Sequence, residues 1–169
     1  ITSSAASDVY KRQDIMIDLK QVHEAWQEDC VISDIKLDKT SRKTPILHSK
    51  YLQYWSTAKL ELKRAELDQK NLLKDKWLYY NGKMDKETIE SKGWVLDPFD
   101  GLKILKGEME YYYDSDPEIQ KSEEKVQYWK TVLETLSEII DNLKWRHQTI
   151  SNIIKWLSLI HISEPTRRR

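Results

Sequence analysis

Four lysines in the middle of the chain recur at intervals of four and seven residues: Lys59, Lys63, Lys70 and Lys74. At about 100° per residue they fall within a sector of about 60° of an α-helix and form one basic stripe. Three aromatic residues and another lysine follow directly: Trp77, Tyr79, Tyr80 and Lys83. Cations that follow a phosphate backbone and flat rings that stack on unpaired bases are what a single-stranded nucleic acid requires.

The same residues also fit a purely structural interpretation. Lysine favours helices and often covers a solvated helix face, and tyrosines at regular positions usually pack in a core. A heptad count places Tyr79 on the packed side of the helix and Tyr80 one residue further round. We therefore expect Tyr79 to be buried and Tyr80 to be available to a base or to a neighbouring subunit.

Groups that could support enzyme chemistry are few and scattered. His23, His48 and His147 lie far apart in the sequence, and Cys30 is the single cysteine. The four glycines cannot be arranged into a phosphate-binding glycine loop. The sequence therefore predicts neither an enzyme nor a metal or cofactor site, and one cysteine without a disulfide partner favours a reducing, cytosolic setting.

Charge is unevenly distributed along the chain. Residues 1–13 (ITSSAASDVYKRQ) and 158–169 resemble translated adaptor remnants rather than parts of a fold, and are set aside as tails. The body then holds 23 basic and 26 acidic residues, a net charge of −3, yet residues 36–76 carry eleven basic against five acidic groups. Binding to an anionic polymer must therefore depend on this local surface. No apolar run approaches the roughly 20 residues of a membrane span.

Two long helices dominate the predicted all-α fold. A short amphipathic helix over 14–29 and a loop over 30–44 precede a long helix that begins at Thr44–Pro45 and stops at Asn81–Gly82. Its apolar seam follows heptad spacing: Tyr51, Trp55, Ala58, Leu62, Ala65, Gln69, Leu72, Lys76 and Tyr79. Two shorter helices are expected between the long ones, from Asp85 to Glu90 and from about Asp100 to Tyr113.

The last helix begins after Asp116–Pro117 and has the most regular apolar pattern in the chain. Its face is broad enough to contact more than one neighbour, and helices of this length usually finish their burial in other subunits, so we expect a homo-oligomer. His147 lies on the seam, and we expect it to be packed. The predicted oligomerisation residues are Val126, Trp129, Val132, Leu133, Leu136, Ile139, Ile140, Leu143, Ile150, Ile153 and Ile154.

Three stretches, taken together and in order, carry a resemblance to a known family. They are LHSKY at 47–51, LKDKWLYYNGK at 73–83 and VQYW at 126–129. Their order and separation resemble the UvsY recombination mediator family of T-even-type phages and their cyanophage relatives. The resemblance divides the chain into a single-stranded-DNA-binding part, 14–113, and a C-terminal oligomerisation helix, 114–157.

The resemblance implies a ring-like homo-oligomer, a hexamer or heptamer, that binds single-stranded DNA without sequence specificity in the host cytoplasm. It also implies that the protein displaces the phage single-strand-binding protein and promotes loading of a RecA-like phage recombinase. The family's DNA-contacting basic pair falls on Lys74 and Lys76, where the intervening Asp75 weakens the field. A coiled-coil structural or scaffold adaptor without DNA binding is the alternative. The candidate nucleic-acid-binding set is Lys59, Lys63, Lys70, Lys74, Lys76, Tyr80 and Lys83.

Overall fold

The computed structural model describes residues 18–163, and within that range it contains helices and no strands. The predicted all-α class is therefore confirmed. The five helices are α1 (Leu19–Asp29), α2 (Leu37–Tyr80), α3 (Lys86–Ser91), α4 (Met109–Ser115) and α5 (Pro117–Ser163). The predicted tail 1–13 lies outside the described residues, as do residues 164–169, whereas 158–163 form the last part of α5.

The chain divides into two compact units. Of the described residues, the terminal unit contains 18–59 and 131–163, and the central unit contains residues 60–130. Both long helices run through the two units.

Several helix ends form at the residues that the sequence indicates. The Asp85 carboxylate caps α3 by accepting a hydrogen bond from the Thr88 backbone N–H at 2.9 Å. Gly82 and Gly93 follow α2 and α3 with φ of 64° and 71°, the left-handed conformation that glycine adopts without strain. These residues confirm the predicted end of α2 and the predicted bounds of α3.

The predicted start of the second helix, at Thr44–Pro45, was wrong. α2 begins at Leu37 and continues through Pro45. Proline cannot donate to the carbonyl four residues earlier, so the helix loses one backbone hydrogen bond there. Tertiary contacts offset the loss: Thr40 is buried, and Lys43 Nζ lies 3.4 Å from the Asp29 carboxylate at the end of α1.

The segment predicted as a helix from Asp100 to Tyr113 is helical only from Met109. Asp97 and Asp100 have positive φ, and the Asp97 carboxylate accepts a hydrogen bond from the Gly101 N–H at 2.9 Å. This aspartate-closed turn replaces the first part of the predicted helix.

The core of the terminal unit forms along α5. Arg146 is buried, and its guanidinium donates to the carbonyls of Asp29 and Val31 at 3.0 and 3.2 Å. His147, which we expected to be packed, is exposed. Arg146 rather than His147 occupies the buried position between Leu143 and Ile150. The apolar residues buried here are Val22, Leu47, Tyr51, Ala58, Val132, Leu136, Ile139, Ile140, Leu143 and Ile150.

Candidate nucleic-acid interface

In the central unit, α2 has one buried side and one exposed side. The predicted seam is buried at Ala65, Lys76 and Tyr79. Helical spacing places the remaining lysines on the other side, where their side chains are exposed. We call this exposed side the lysine face and define it as Lys63, Lys70, Lys74 and Trp77.

Two lysines of this face are free of internal partners. Among the described residues, Lys70 and Lys74 form no ion pair, whereas Lys63 Nζ lies 3.9 Å from the Glu66 carboxylate. Asp75, which was expected to weaken the field beside Lys74, is instead paired with Lys92 at 2.8 Å. Two ammonium groups are thus available to an anion.

Trp77 is the aromatic residue that sequence reasoning left out of the site. Its side chain is 42% exposed, and Lys83 Nζ lies 4.4 Å from the centroid of its ring. The signal was present in the sequence, because Trp77 follows Lys70 by seven residues and Lys74 by three and so shares their side of the helix. The structure brings one exposed ring and three lysines together: Lys70, Lys74 and Lys83.

Lys76 lies elsewhere than its predicted role requires. Its side chain is 5% exposed, with Nζ 2.9 Å from Asp116 Oδ2 and 3.5 Å from Glu118 Oε1. The same ammonium lies 4.0 Å from the centroid of the Trp94 ring. The physical reason is its position on the apolar seam, which directs it inward, so we remove Lys76 from the candidate phosphate contacts.

Asp116 joins α2 to the start of α5. One carboxylate oxygen accepts from the Glu118 backbone N–H at 2.9 Å and so caps α5, and the other accepts from Lys76 and from the Tyr80 hydroxyl, the latter at 2.6 Å. Burial alone would raise the pKa of Asp116. The hydrogen bonds from Tyr80, Lys76 and the Ile119 backbone outweigh burial and lower this pKa below its ordinary value.

The two adjacent tyrosines are both packed. Tyr79 is buried, as expected, and its hydroxyl donates to the Val95 carbonyl at 2.8 Å. Tyr80 is only half-buried, but its ring centroid lies 5.9 Å from those of Phe99 and Tyr112. Because the Tyr80 hydroxyl also binds Asp116, this ring is held in an aromatic cluster, and the expectation that Tyr80 is the more available ring is corrected in favour of Trp77.

Lys59 belongs to the terminal unit. It is exposed, and its Nζ lies 4.7 Å from the centroid of the Trp55 ring. We therefore treat Lys59 apart from the lysine face.

Most residues predicted to join subunits are already covered inside the chain. Val126, Trp129, Val132, Leu136, Ile139, Ile140, Leu143 and Ile150 are buried. Leu133 and Ile153 are half-buried, and Ile154 is exposed. The physical reason is that the apolar seam of α5 packs against the chain's own helices. The eight buried residues are therefore removed from the candidate contacts between subunits.

Residues 18–163 contain no group of His, Cys, Asp or Glu side chains arranged to hold a metal ion. In the same range no helix is long and apolar enough to cross a membrane.

The fold and this surface agree with a class of helical proteins that act on single-stranded DNA. Residues 25–161 match the family model described as recombination, repair and ssDNA binding protein UvsY. The chain therefore belongs to the UvsY family.

Individual relatives are similar over most of the chain. The recombination protein uvsY of Enterobacteria phage T4 is 29% identical over 135 residues, which cover 80% of this chain and 91% of that protein. A crystal structure of the bacteriophage T4 recombination mediator protein UvsY, in lattice type II, matches with a TM-score of 0.72 at 26% identity and covers 86% of this chain and 98% of the other. The lattice type I structure matches with a TM-score of 0.69 at 27% identity, covering 82% and 97%.

Proposed function

We propose that the protein is a recombination mediator. It binds single-stranded DNA without sequence specificity, displaces a phage single-strand-binding protein from the strand and promotes loading of a RecA-like phage recombinase in the host cytoplasm. The observation that carries the proposal is the lysine face, where Lys70 and Lys74 are free beside an exposed Trp77, in a member of a family described as ssDNA-binding.

The chemistry of this face suits a flexible strand. Ammonium groups contact phosphates as point charges, and the exposed indole offers a surface on which any base can stack. Lysine on a solvated helix face makes no fixed pattern of contacts to base edges, and sequence is read through base edges. Binding of this kind is therefore nonspecific and sensitive to salt.

Several copies of one modest face would bind a strand tightly. We propose that the protein acts as a homo-oligomer, a hexamer or heptamer, in which each subunit presents its own lysine face. The second and later contacts then form at high effective concentration. A strand held in a conformation that the recombinase binds better shifts the equilibrium away from the single-strand-binding protein.

This role involves no covalent chemistry. Loading and displacement require only competing noncovalent contacts, so we propose that the protein is not an enzyme and uses no cofactor.

Loading is tested on single-stranded DNA covered with the single-strand-binding protein, with recombinase ATP hydrolysis as the readout. We expect the protein to shorten the lag before hydrolysis and the Lys70→Ala/Lys74→Ala variant to restore most of it. Lys121→Ala/Lys125→Ala is the matched control, because these exposed lysines of α5 have the same four-residue spacing. A protein that binds no single-stranded DNA and leaves the lag unchanged would instead be the coiled-coil adaptor.

A further inference from the structure

Two leucines lie exposed among the lysines of the lysine face. Leu60 is 57% exposed and Leu67 is 49% exposed, both in the central unit. An aliphatic side chain makes neither an ion pair nor a hydrogen bond with a phosphate, and bases stack on flat rings rather than on leucine. The proposed DNA contact therefore leaves these two residues unexplained.

The leucines and the lysine face together form a second heptad pattern on α2. From Leu60 the steps of three and four residues select, in order, Leu60, Lys63, Leu67, Lys70, Lys74 and Trp77. All six side chains are exposed. No acidic residue occupies any of the six positions. This row therefore lies opposite the buried seam, and it combines three apolar with three cationic groups.

A row of this composition complements one kind of partner surface. Helices pair along heptad rows, with apolar side chains in contact and opposite charges beside them. The complement of alternating leucine and lysine is a helix with apolar residues facing Leu60, Leu67 and Trp77, and with Asp or Glu facing the lysines.

The chain's own acidic row on α5 is a poorer complement. The exposed acidic residues of α5 in the terminal unit, Glu134, Glu138 and Asp141, have no exposed leucine or isoleucine between them. Such a row would pair with the lysines but leave both leucines exposed to solvent.

We propose that this face also docks an acidic amphipathic helix of a protein partner, in competition with single-stranded DNA. The proposal rests on the proposed function in one respect, that the strand uses the same lysines. Because both ligands need Lys70 and Lys74, binding of the acidic helix releases the strand. A partner that binds the lysine face would therefore release single-stranded DNA from the protein.

The probe is a fluorescent synthetic helix of about three heptads, with leucine and glutamate on its seam. A peptide of the same composition in scrambled order is its control, and a labelled oligothymidylate reports DNA binding. We expect the ordered peptide to bind and to displace the oligonucleotide. Lys70→Ala/Lys74→Ala should lower the affinity for both the peptide and the oligonucleotide.

The leucines separate the two ligands. Leu60→Gln/Leu67→Gln should lower the affinity for the peptide on the order of tenfold and leave the affinity for the oligonucleotide nearly unchanged. Leu102→Gln/Leu105→Gln is the matched control, since both of these loop leucines are also exposed. Glutamine has nearly the helix propensity of leucine, and melting curves would check that both variants fold.

Three results would overturn the proposal while leaving DNA binding intact: equal binding of ordered and scrambled peptides, an unchanged peptide affinity in the Leu60/Leu67 variant, or a changed oligomer mass in that variant. The last would mean that the leucines contact another copy. Peptide binding without oligonucleotide binding would support docking and reject the proposed function instead.

Discussion

At the scale of single residues, exposure decides which aromatic side chain can meet DNA. Trp77 is open beside Lys70 and Lys74, whereas Tyr79 is buried and Tyr80 is tied to Asp116. The heptad count separated Tyr79 from Tyr80 correctly. It could not show that Tyr80 would be enclosed by Phe99 and Tyr112, which arrive from later segments.

Replacing Trp77 by alanine should weaken single-strand binding by about 1 to 3 kcal/mol per site, the contribution of one stacked base. The melting temperature should change little, because the ring is exposed. An oligonucleotide titration and a thermal melt measure the two effects. Tyr111→Ala removes another exposed ring of the central unit and should bind like the parent. If both variants bound equally well, Trp77 would not stack on a base.

Lys76 is expected to act on stability rather than on DNA. Lys76→Ala leaves Asp116 buried without its cation, and breaking a buried pair costs about 3 to 5 kcal/mol. Lys74→Ala, two residues earlier and exposed, should cost little stability. Chemical denaturation of the two variants makes the comparison. Equal midpoints would show that the pair contributes nothing.

The same pair makes stability depend on pH in a defined direction. The native pKa of Asp116 is below its ordinary value of 3.8, so its contribution is complete above that value and is lost as the pH falls through the native pKa. Asp116→Asn should therefore lose less stability than the parent below about pH 4. Denaturation series at successive pH values measure this difference, and parallel curves would contradict it.

Within the helices, heptad periodicity predicted which side chains are buried. The seam of α2 is buried at Tyr51, Ala58 and Ala65, as its heptads indicate. The same count placed Lys76 on the seam, so its burial was implicit in the sequence although its family role suggested a phosphate contact. The start of α2 was missed because proline normally marks a first turn, whereas here tertiary contacts carry the helix past Pro45.

Pro45→Ala tests this account of α2. Alanine supplies the N–H that proline lacks and has the higher helix propensity, so the variant should be more stable, by about 1 to 3 kcal/mol. Urea unfolding followed by circular dichroism measures the change. A loss of stability would show that proline is required at this position.

For the whole molecule, we propose that copies of the chain meet through exposed apolar residues near the end of α5. The last part of α5 exposes Ile154, Trp156, Leu157, Leu159, Ile160 and Ile162. Exposed apolar side chains grouped near one end of a helix are typical of an interaction site, and we call this group the apolar patch. The buried seam residues Leu136 and Ile140 belong to the chain's own core instead.

Charges placed on this patch should dissociate the assembly without unfolding the chain. Trp156→Glu/Ile160→Glu is expected to lower the mass in sedimentation while the helical signal stays. Both side chains are exposed in the single chain, so the new charges would lose their water only where two copies meet. Ile35→Glu alters another exposed apolar residue of the terminal unit and should keep the parent's mass. An unchanged oligomer in the double variant would place the interface elsewhere.

If the lysine face holds single-stranded DNA, the affinity must fall with salt in proportion to the lysines that contact phosphate. Each phosphate contact contributes roughly 0.7 to the slope of log K against log salt on a single strand. Lys70→Ala/Lys74→Ala should therefore weaken binding and lower the slope by about 1.4 per engaged subunit, whereas Lys121→Ala/Lys125→Ala should keep the parent's slope. A double variant of the lysine face that binds with the parent's affinity and slope would show that DNA binds elsewhere on the protein.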